Sequence, residues 1–104
     1  MGLTYSIEVS KDHAQVTATW DISLDIADTE LIASFTLTAE GKALNTQCSS
    51  GNKACRGSAS TTLAKPDQDC PVTFSITTNE TDEEHGDDTL RGDRTFDEVS
   101  FESE

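Results

Sequence analysis

The sequence is poor in basic residues, and it has no long apolar run. Lys and Arg number 7 against 20 Asp and Glu, which gives a net charge of −13 and argues against direct binding of nucleic acid. No apolar run reaches the roughly 18 to 20 residues of a membrane-spanning helix. The first residues carry no basic segment followed by an apolar stretch, so they predict no signal peptide. Either the protein is made inside the cell, or a signal has been removed from it.

Motifs for catalysis and for cofactor binding are also missing. The sequence contains no G-x-S-x-G, H-E-x-x-H, Walker or glycine-rich dinucleotide motif. Its two histidines, His13 and His85, fall in polar segments where exposure is the expectation. The cysteines lack the C-x2-C spacing of zinc sites. The sequence therefore predicts a protein that is not an enzyme and that holds no cofactor.

A strict alternation of apolar and polar residues dominates positions 16 to 39. Successive side chains of a β-strand point to opposite faces, so this period of two predicts two strands with one buried face each. The composition leans towards disorder, because Leu, Ile, Val and Phe supply only 20 of 104 residues. We give the alternation more weight than the composition, since a disordered chain does not require alternating apolar residues. The apolar positions are Val16, Ala18, Trp20, Ile22, Leu24 and Ile26, then Leu31, Ala33, Phe35, Leu37 and Ala39.

Further runs of this kind, separated by polar turns, bring the predicted number of strands to about seven. Strands with one apolar face bury it most readily when two sheets pack face to face. The sequence therefore predicts an all-β, antiparallel β-sandwich that forms a single domain over residues 1–104. The predicted strands lie at 4–9, 16–26, 31–39, 43–48, 57–64, 70–78 and 94–101, with 43–48 weak and 57–64 a candidate edge strand.

The last predicted strand departs from the alternation. Phe96 is out of phase with Val99 and Phe101. A β-bulge, which inserts one extra residue, would produce this slip, and so would a strand buried on both faces.

Trp20 lies in the second predicted strand, and Phe35 lies in the third. With the chain length and the number of strands, these positions resemble fibronectin type III and immunoglobulin-like domains. The cysteines do not bracket Trp20 as an immunoglobulin disulfide would. The resemblance implies an architecture and transfers no function. Because Trp20 shares its parity with Val16 and Ile22, we assign it to the core and not to a sugar-stacking platform.

The three cysteines are Cys48, Cys55 and Cys70, so one disulfide would leave one free thiol. Cys48 and Cys55 flank a short loop, and a bridge between them is the pairing we favour. Three buried thiols and a bridge to Cys70 are the alternatives. A disulfide would favour a secreted or cell-surface location.

Negative charge concentrates near the C-terminus. Residues 80–104 hold eleven Asp and Glu against two Arg, which is −9 of the total −13. The tract at 79–93 is predicted to be an acidic, mobile loop. It could be a solvated loop only, a Ca²⁺ site or a binding surface for a basic partner. The candidate binding residues are Asp82, Glu83, Glu84, Asp87 and Asp88.

We conclude from the sequence that the protein is a binding module that recognises a cationic protein surface through this loop. The alternative is a structural or cell-surface unit that self-associates or binds Ca²⁺. Two short motifs stay open: the integrin-type tripeptide Arg91-Gly92-Asp93 and the glycosylation sequon that begins at Asn79.

Overall fold

The computed structural model describes residues 2–80 and 83–103. Within them the chain forms eight β-strands, and every pairing between strands is antiparallel. The strands are β1 Leu3–Asp12, β2 Gln15–Leu24, β3 Ile32–Ala39, β4 Lys42–Ala43, β5 Ala54–Thr62, β6 Cys70–Thr78, β7 Glu83–Leu90 and β8 Thr95–Glu102.

The strands form two four-stranded sheets around a shared hydrophobic core, which confirms the predicted all-β sandwich. One sheet has the order β5-β2-β1-β8, and the other has the order β4-β3-β6-β7. β5 is an edge strand, as predicted for the Ser- and Thr-rich segment at 57–64. The edge strands β7 and β8 contact each other across the two sheets. They therefore lie on one side of the sandwich, and β4 and β5 lie on the other.

The alternation of β2 is confirmed in the burial of its side chains, every second of which is buried. Trp20 is 3% exposed and packs against Phe35 with ring centroids 5.6 Å apart. Gly57 on β5 leaves room for the indole, since a Cβ at that position would lie 3.1 Å from Cζ2 of Trp20. Trp20 thus belongs to the core, where its parity places it.

The expected parity fails at both ends of the connection between β2 and β3. β2 ends at Leu24, so Ile26 lies beyond the strand and is 90% exposed. In β3 the register shifts between Ile32 and Ser34, which makes Ala33 an extra residue. This irregularity reverses the alternation: Ile32 is buried, and Ala33 is exposed.

The parity slip in the last strand is a β-bulge, one of the two explanations that the sequence leaves open. Asp97 lies opposite Lys11 in β1, whereas the next pair joins Thr95 to Asp12. Phe96 is therefore the residue without a cross-strand partner. It has a positive φ of 60° and is 72% exposed.

The weak strand predicted at 43–48 is wrong, because pairing in the short β4 stops at Ala43. The chain then runs along the outer edge of β3 on its way to the other sheet. The N–H of Leu44 donates to Leu37 O at 2.8 Å, and the N–H of Ile32 donates to Asn52 O at 2.8 Å. These bonds cover an edge that would otherwise be exposed.

The segment at 79–93, predicted as an irregular loop, is corrected by the structure because it contains β7. β7 pairs with β6 along its whole length. Leu90 is its one buried side chain, and the carboxylates stay at the solvated rim. An edge strand formed by backbone pairing with one neighbour can carry charges without an apolar alternation. Thr81 and Asp82 of this segment lie outside the described residues.

Candidate functional site

The edge strands β7 and β8 carry seven carboxylates and no Lys or Arg. The two strands approach each other where the rings of Phe74 and Phe101, tilted by 54° with centroids 4.9 Å apart, pack beside Gly86, and a side chain at position 86 would leave them no room. We call this surface the acidic side. It comprises Glu83, Glu84, Asp87, Asp88, Asp97, Glu98 and Glu102.

The negative charge of these carboxylates is largely uncompensated within the described part of the chain. In the part of the chain that the structure describes, none of the seven pairs with a Lys or Arg side chain. Glu83 accepts a hydrogen bond from Ser75 Oγ at 3.1 Å and lies 3.0 Å from Nε2 of His85. Asp97 accepts the backbone N–H of Arg91. Five of the seven residues are exposed, so their charges add to one outward field.

The structure divides the predicted binding residues between two orientations. Glu83 and Asp87 lie opposite Thr77 and Thr73 of β6, on the outer face of the sheet. Glu84 and Asp88 lie opposite buried residues of β6, so they belong to the inner face of the sheet, at its solvated rim. Asp82 lies outside the described residues. The four described residues share one strand but do not form one cluster.

Sequence reasoning missed the half of this surface that β8 supplies. Asp97, Glu98 and Glu102 contribute to the acidic excess of residues 80–104, but they belong to a predicted strand and lie outside the predicted binding residues. These three residues join the surface because β8 pairs with β1, which makes β8 the edge strand next to β7. The composition of the sequence does not reveal which strands pair.

The opposite side of the sandwich has a different character. β4 and β5 contain no Asp or Glu, and they carry Lys42 and Arg56. Arg56 lies 3.8 Å from Asp21 of the neighbouring β2, and both side chains are largely exposed. Negative charge is therefore segregated across the width of the molecule.

Metal binding finds no support in the described residues. Within residues 2–80 and 83–103, no group of three or more His, Cys, Asp or Glu is arranged to hold a metal ion. Strand geometry explains this, because neighbouring side chains along β7 point to opposite faces and do not converge on one point.

The tripeptide Arg91-Gly92-Asp93 lies in the connection between β7 and β8, and its charged groups are engaged. The guanidinium of Arg91 lies 3.3 Å from Asp69, and the carboxylate of Asp93 lies 2.6 Å from Nδ1 of His13. Both side chains of the tripeptide remain more than half exposed.

The sequon residue Asn79 is engaged as well. Its side-chain oxygen accepts the backbone N–H of Leu31 at 2.8 Å, and its own backbone N–H donates to Leu31 O at 3.0 Å. Asn79 thus joins the start of the β6–β7 connection to the segment before β3.

His13 bridges two turns at one end of the sandwich. Its Nδ1 faces Asp93 at 2.6 Å, and its Nε2 lies 2.9 Å from Thr95 Oγ1. The hydrogen bond to Asp93 raises the pKa of His13 above its usual 6.5. An acid, an imidazole and a hydroxyl follow one another here as they do in a hydrolytic triad, but the histidine side chain is 61% exposed. Water competes for each of these groups, so the arrangement acts as a clasp between turns.

A second group of polar residues at the same end holds the β5–β6 connection. The side chain of Lys11 is completely buried, and its Nζ donates to Pro66 O at 3.3 Å. Glu40 accepts the N–H groups of Ala64 and Lys65 at 2.9 and 3.0 Å, which lowers the pKa of its carboxyl group. These contacts satisfy backbone groups of a turn and have a structural role.

Cys48 and Cys55 form a disulfide with Cα atoms 5.6 Å apart, which confirms the favoured pairing. Cys70 is a free thiol, and burial raises its pKa. A buried thiol with a raised pKa is a poor nucleophile, because the reactive thiolate is disfavoured.

Among residues 2–80 and 83–103, there is no helix of the length and apolarity needed to cross a membrane. No family model, no curated protein and no solved structure matches this chain.

Proposed function

We propose that the protein is a non-enzymatic binding module whose acidic side captures a cationic protein surface. The observation that carries the proposal is the gathering of seven carboxylates, without a Lys or Arg partner among the described residues, on two adjacent edge strands. Fields of one sign steer an oppositely charged partner and raise its association rate.

The strands give the acidic side a fixed spacing of charges. β7 pairs with β6 over eight residues, and β8 pairs with β1 over most of its length. A surface built on paired strands presents its groups more precisely than a free loop does. The partner we expect is therefore a folded basic surface or a Lys/Arg-rich segment that runs along the two strands.

A charge-matched pair of variants tests the proposal. In the first variant Glu83, Asp87, Glu98 and Glu102 are replaced by Gln or Asn, which removes four charges from the acidic side. In the control, Asp21, Asp25, Asp28 and Asp67, none of which lies on or opposite β7 or β8, are replaced in the same way, which gives the same net charge. We expect the first variant to bind a fluorescent lysine-rich peptide on the order of tenfold more weakly than the control does. Equal affinities for the two variants would refute a localised site.

We also infer that the sandwich is related in architecture to immunoglobulin-like domains. The neighbours β1-β2-β5 correspond to strands A, B and E, and β3-β6-β7 correspond to C, F and G. β8 is then an additional strand beside β1. Because architecture alone carries no function, this relation adds nothing to the binding proposal.

The disulfide supports the inference that the protein works in an oxidising compartment such as the extracellular space. Cytosolic thiols are kept reduced, so a structural disulfide between Cys48 and Cys55 would not persist there. Mass measurement of the protein from its native source, with and without thiol alkylation, would test this. Alkylation of all three cysteines without prior reduction would contradict it.

A further inference from the structure

The outer edge of β5 differs from the other long edges of the sandwich in that its one charged side chain, Arg56, is its only protection within the described part of the chain. Among the described residues, no other segment donates or accepts a backbone hydrogen bond along this edge between Cys55 and Thr62. The edges of β7 and β8 carry acidic side chains, and residues 44–52 cover β3. β5 is nine residues long and has no bulge, no Pro, no Lys and no acid. These are the devices by which natural sheets prevent edge pairing.

We propose that the occupant of this edge is the β5 strand of a second copy of the chain, paired antiparallel about a two-fold axis at Ser58. This interface is independent of the acidic side. It would join the two β5-β2-β1-β8 sheets into one continuous sheet of eight strands.

The side chains of β5 are complementary to themselves in this register. Full overlap of residues 54–62 places Ser58 opposite Ser58 and Arg56 opposite Ser60 of the partner, so no like charges meet. On the inner face, Gly57 faces Ala59 of the partner, and neither side chain is bulky. The same operation would gather eight carboxylates along a pair of β7 strands and six along a pair of β8 strands, whereas a pair of β5 strands has none, so the field of like charges disfavours those two edges.

The distribution of charge also favours β5 over the other edges. β5 and β8 are three strands apart, which is about 14 Å at ~4.8 Å per strand. In the dimer the two β8 strands would be seven spacings apart, or about 34 Å. That is roughly four Debye lengths at physiological ionic strength. The dimer thus holds the two acidic sides at its outer ends, where they repel least.

Sedimentation or light scattering over a range of concentrations tests the pairing. We expect a reversible change from the 11.2 kDa monomer to a dimer, and a tighter dimer in about 1 M salt than at low ionic strength, since salt screens the remaining repulsion. Ser58→Glu should weaken the dimer at least about tenfold, because it places two carboxylates at the axis. The matched control is Ser100→Glu on β8, which adds the same charge away from the interface and should leave the dimer intact.

Thiol cross-linking gives a second readout that does not depend on weak affinity. Ser58→Cys should yield a covalent dimer with a short bifunctional thiol reagent, because facing Cβ atoms in a strand pair are about 4.5 to 5.5 Å apart, which is wider than a direct disulfide spans but within reach of such a reagent. Ser100→Cys should not yield one. Circular dichroism would establish that each variant keeps its β-sheet signal.

Several outcomes would overturn the proposal. A monomer at every concentration and salt level would do so, as would a dimer weakened by Ser100→Glu and not by Ser58→Glu, which would place the contact on β8. Capture of a foreign extended peptide at the β5 edge by a protein that stays monomeric would assign the edge to another partner.

Discussion

Gly86 is the residue that lets the acidic side form. A Cβ at this position would overlap Cε1 of Phe74 and would lie 2.9 Å from its Cδ1 and 3.0 Å from Cδ1 of Phe101. The two rings fill the space beneath β7, so the strand can approach only where it has no side chain. One glycine thus connects the packing of the core to the placement of the carboxylates.

We predict that Gly86→Ala destabilises the fold by about 1 to 3 kcal/mol, the usual cost of forcing a methyl group into a packed site. Urea unfolding followed by Trp20 fluorescence would measure the loss. Asp87→Ala, an exposed neighbour on the same strand, is the control and should change stability by no more than about 0.5 kcal/mol. Equal effects of the two substitutions would show that position 86 is not packed as the structure has it.

His13 gives the clasp between turns a pH dependence. Asp93 accepts its hydrogen bond at 2.6 Å, and the pKa of His13 in the folded protein lies above 6.5 as a result. A raised folded pKa means that the pair stabilises the fold below about pH 6.5. That contribution is lost as the pH rises through the folded value.

We predict that Asp93→Asn lowers the pKa of His13 towards 6.5, and an NMR titration of the His13 ring protons would follow it. Asp12→Asn is the control, because Asp12 lies 3.9 Å from Nε2 and contributes less to the shift. The stability difference between wild type and Asp93→Asn should be larger at pH 6 than at pH 8.5. An unchanged His13 titration in Asp93→Asn would contradict the clasp.

At the scale of elements, the connection between β4 and β5 depends on the disulfide. Residues 44–53 cross from one sheet to the other, and the bridge from Cys48 to Cys55 closes residues 48–55 into a short loop at the start of β5. The disulfide lowers the conformational entropy of the unfolded chain. It also holds in place residues 44–52, which cover the edge of β3.

We predict that the double substitution Cys48→Ser and Cys55→Ser lowers the free energy of unfolding by about 2 to 3 kcal/mol. The measurement is chemical unfolding with and without a reducing agent. Wild type should lose stability on reduction to the level of the double variant, and the double variant should not respond. A wild type that is insensitive to reduction would show that the bridge does not constrain the fold.

Some strands can be predicted from the sequence and others cannot. β2 and β6 bury alternate side chains between the sheets, so their sequences show the apolar–polar alternation that predicts a strand. β7 is held by backbone pairing and by Leu90 at one end, and its alternation is therefore absent from the sequence. The bulge at Ala33 cannot be predicted from the sequence, because an Ala fits either face of a sheet. The bulge at Phe96 can be suspected from the sequence, because a large aromatic residue there breaks the alternation of the strand.

At the scale of the whole molecule, the candidate site was half predictable. The acidic excess of residues 80–104 is a property of composition, and it marks the segment that contains β7 and β8. The grouping of β7 with β8 is a property of topology: each is the last strand of a different sheet, and no local pattern records that they meet. The predicted loop therefore became a surface formed by two strands.

The same topology gives the molecule two unlike sides. The acidic side and the acid-free β4 and β5 strands lie at opposite edges of both sheets. A basic partner and a second copy of the chain would therefore occupy different surfaces. Dimerisation through β5 would leave both acidic sides open, and the dimer would present two of them.

The most direct test of the binding account is an NMR titration of the ¹⁵N-labelled protein with a lysine-rich peptide. We predict that the amide shifts that change are concentrated on β7 and β8, and that raising the salt concentration reverses them because the contact is electrostatic. Changes spread evenly over the molecule, or centred on β5 and β2, would contradict the assignment of the acidic side as the binding surface.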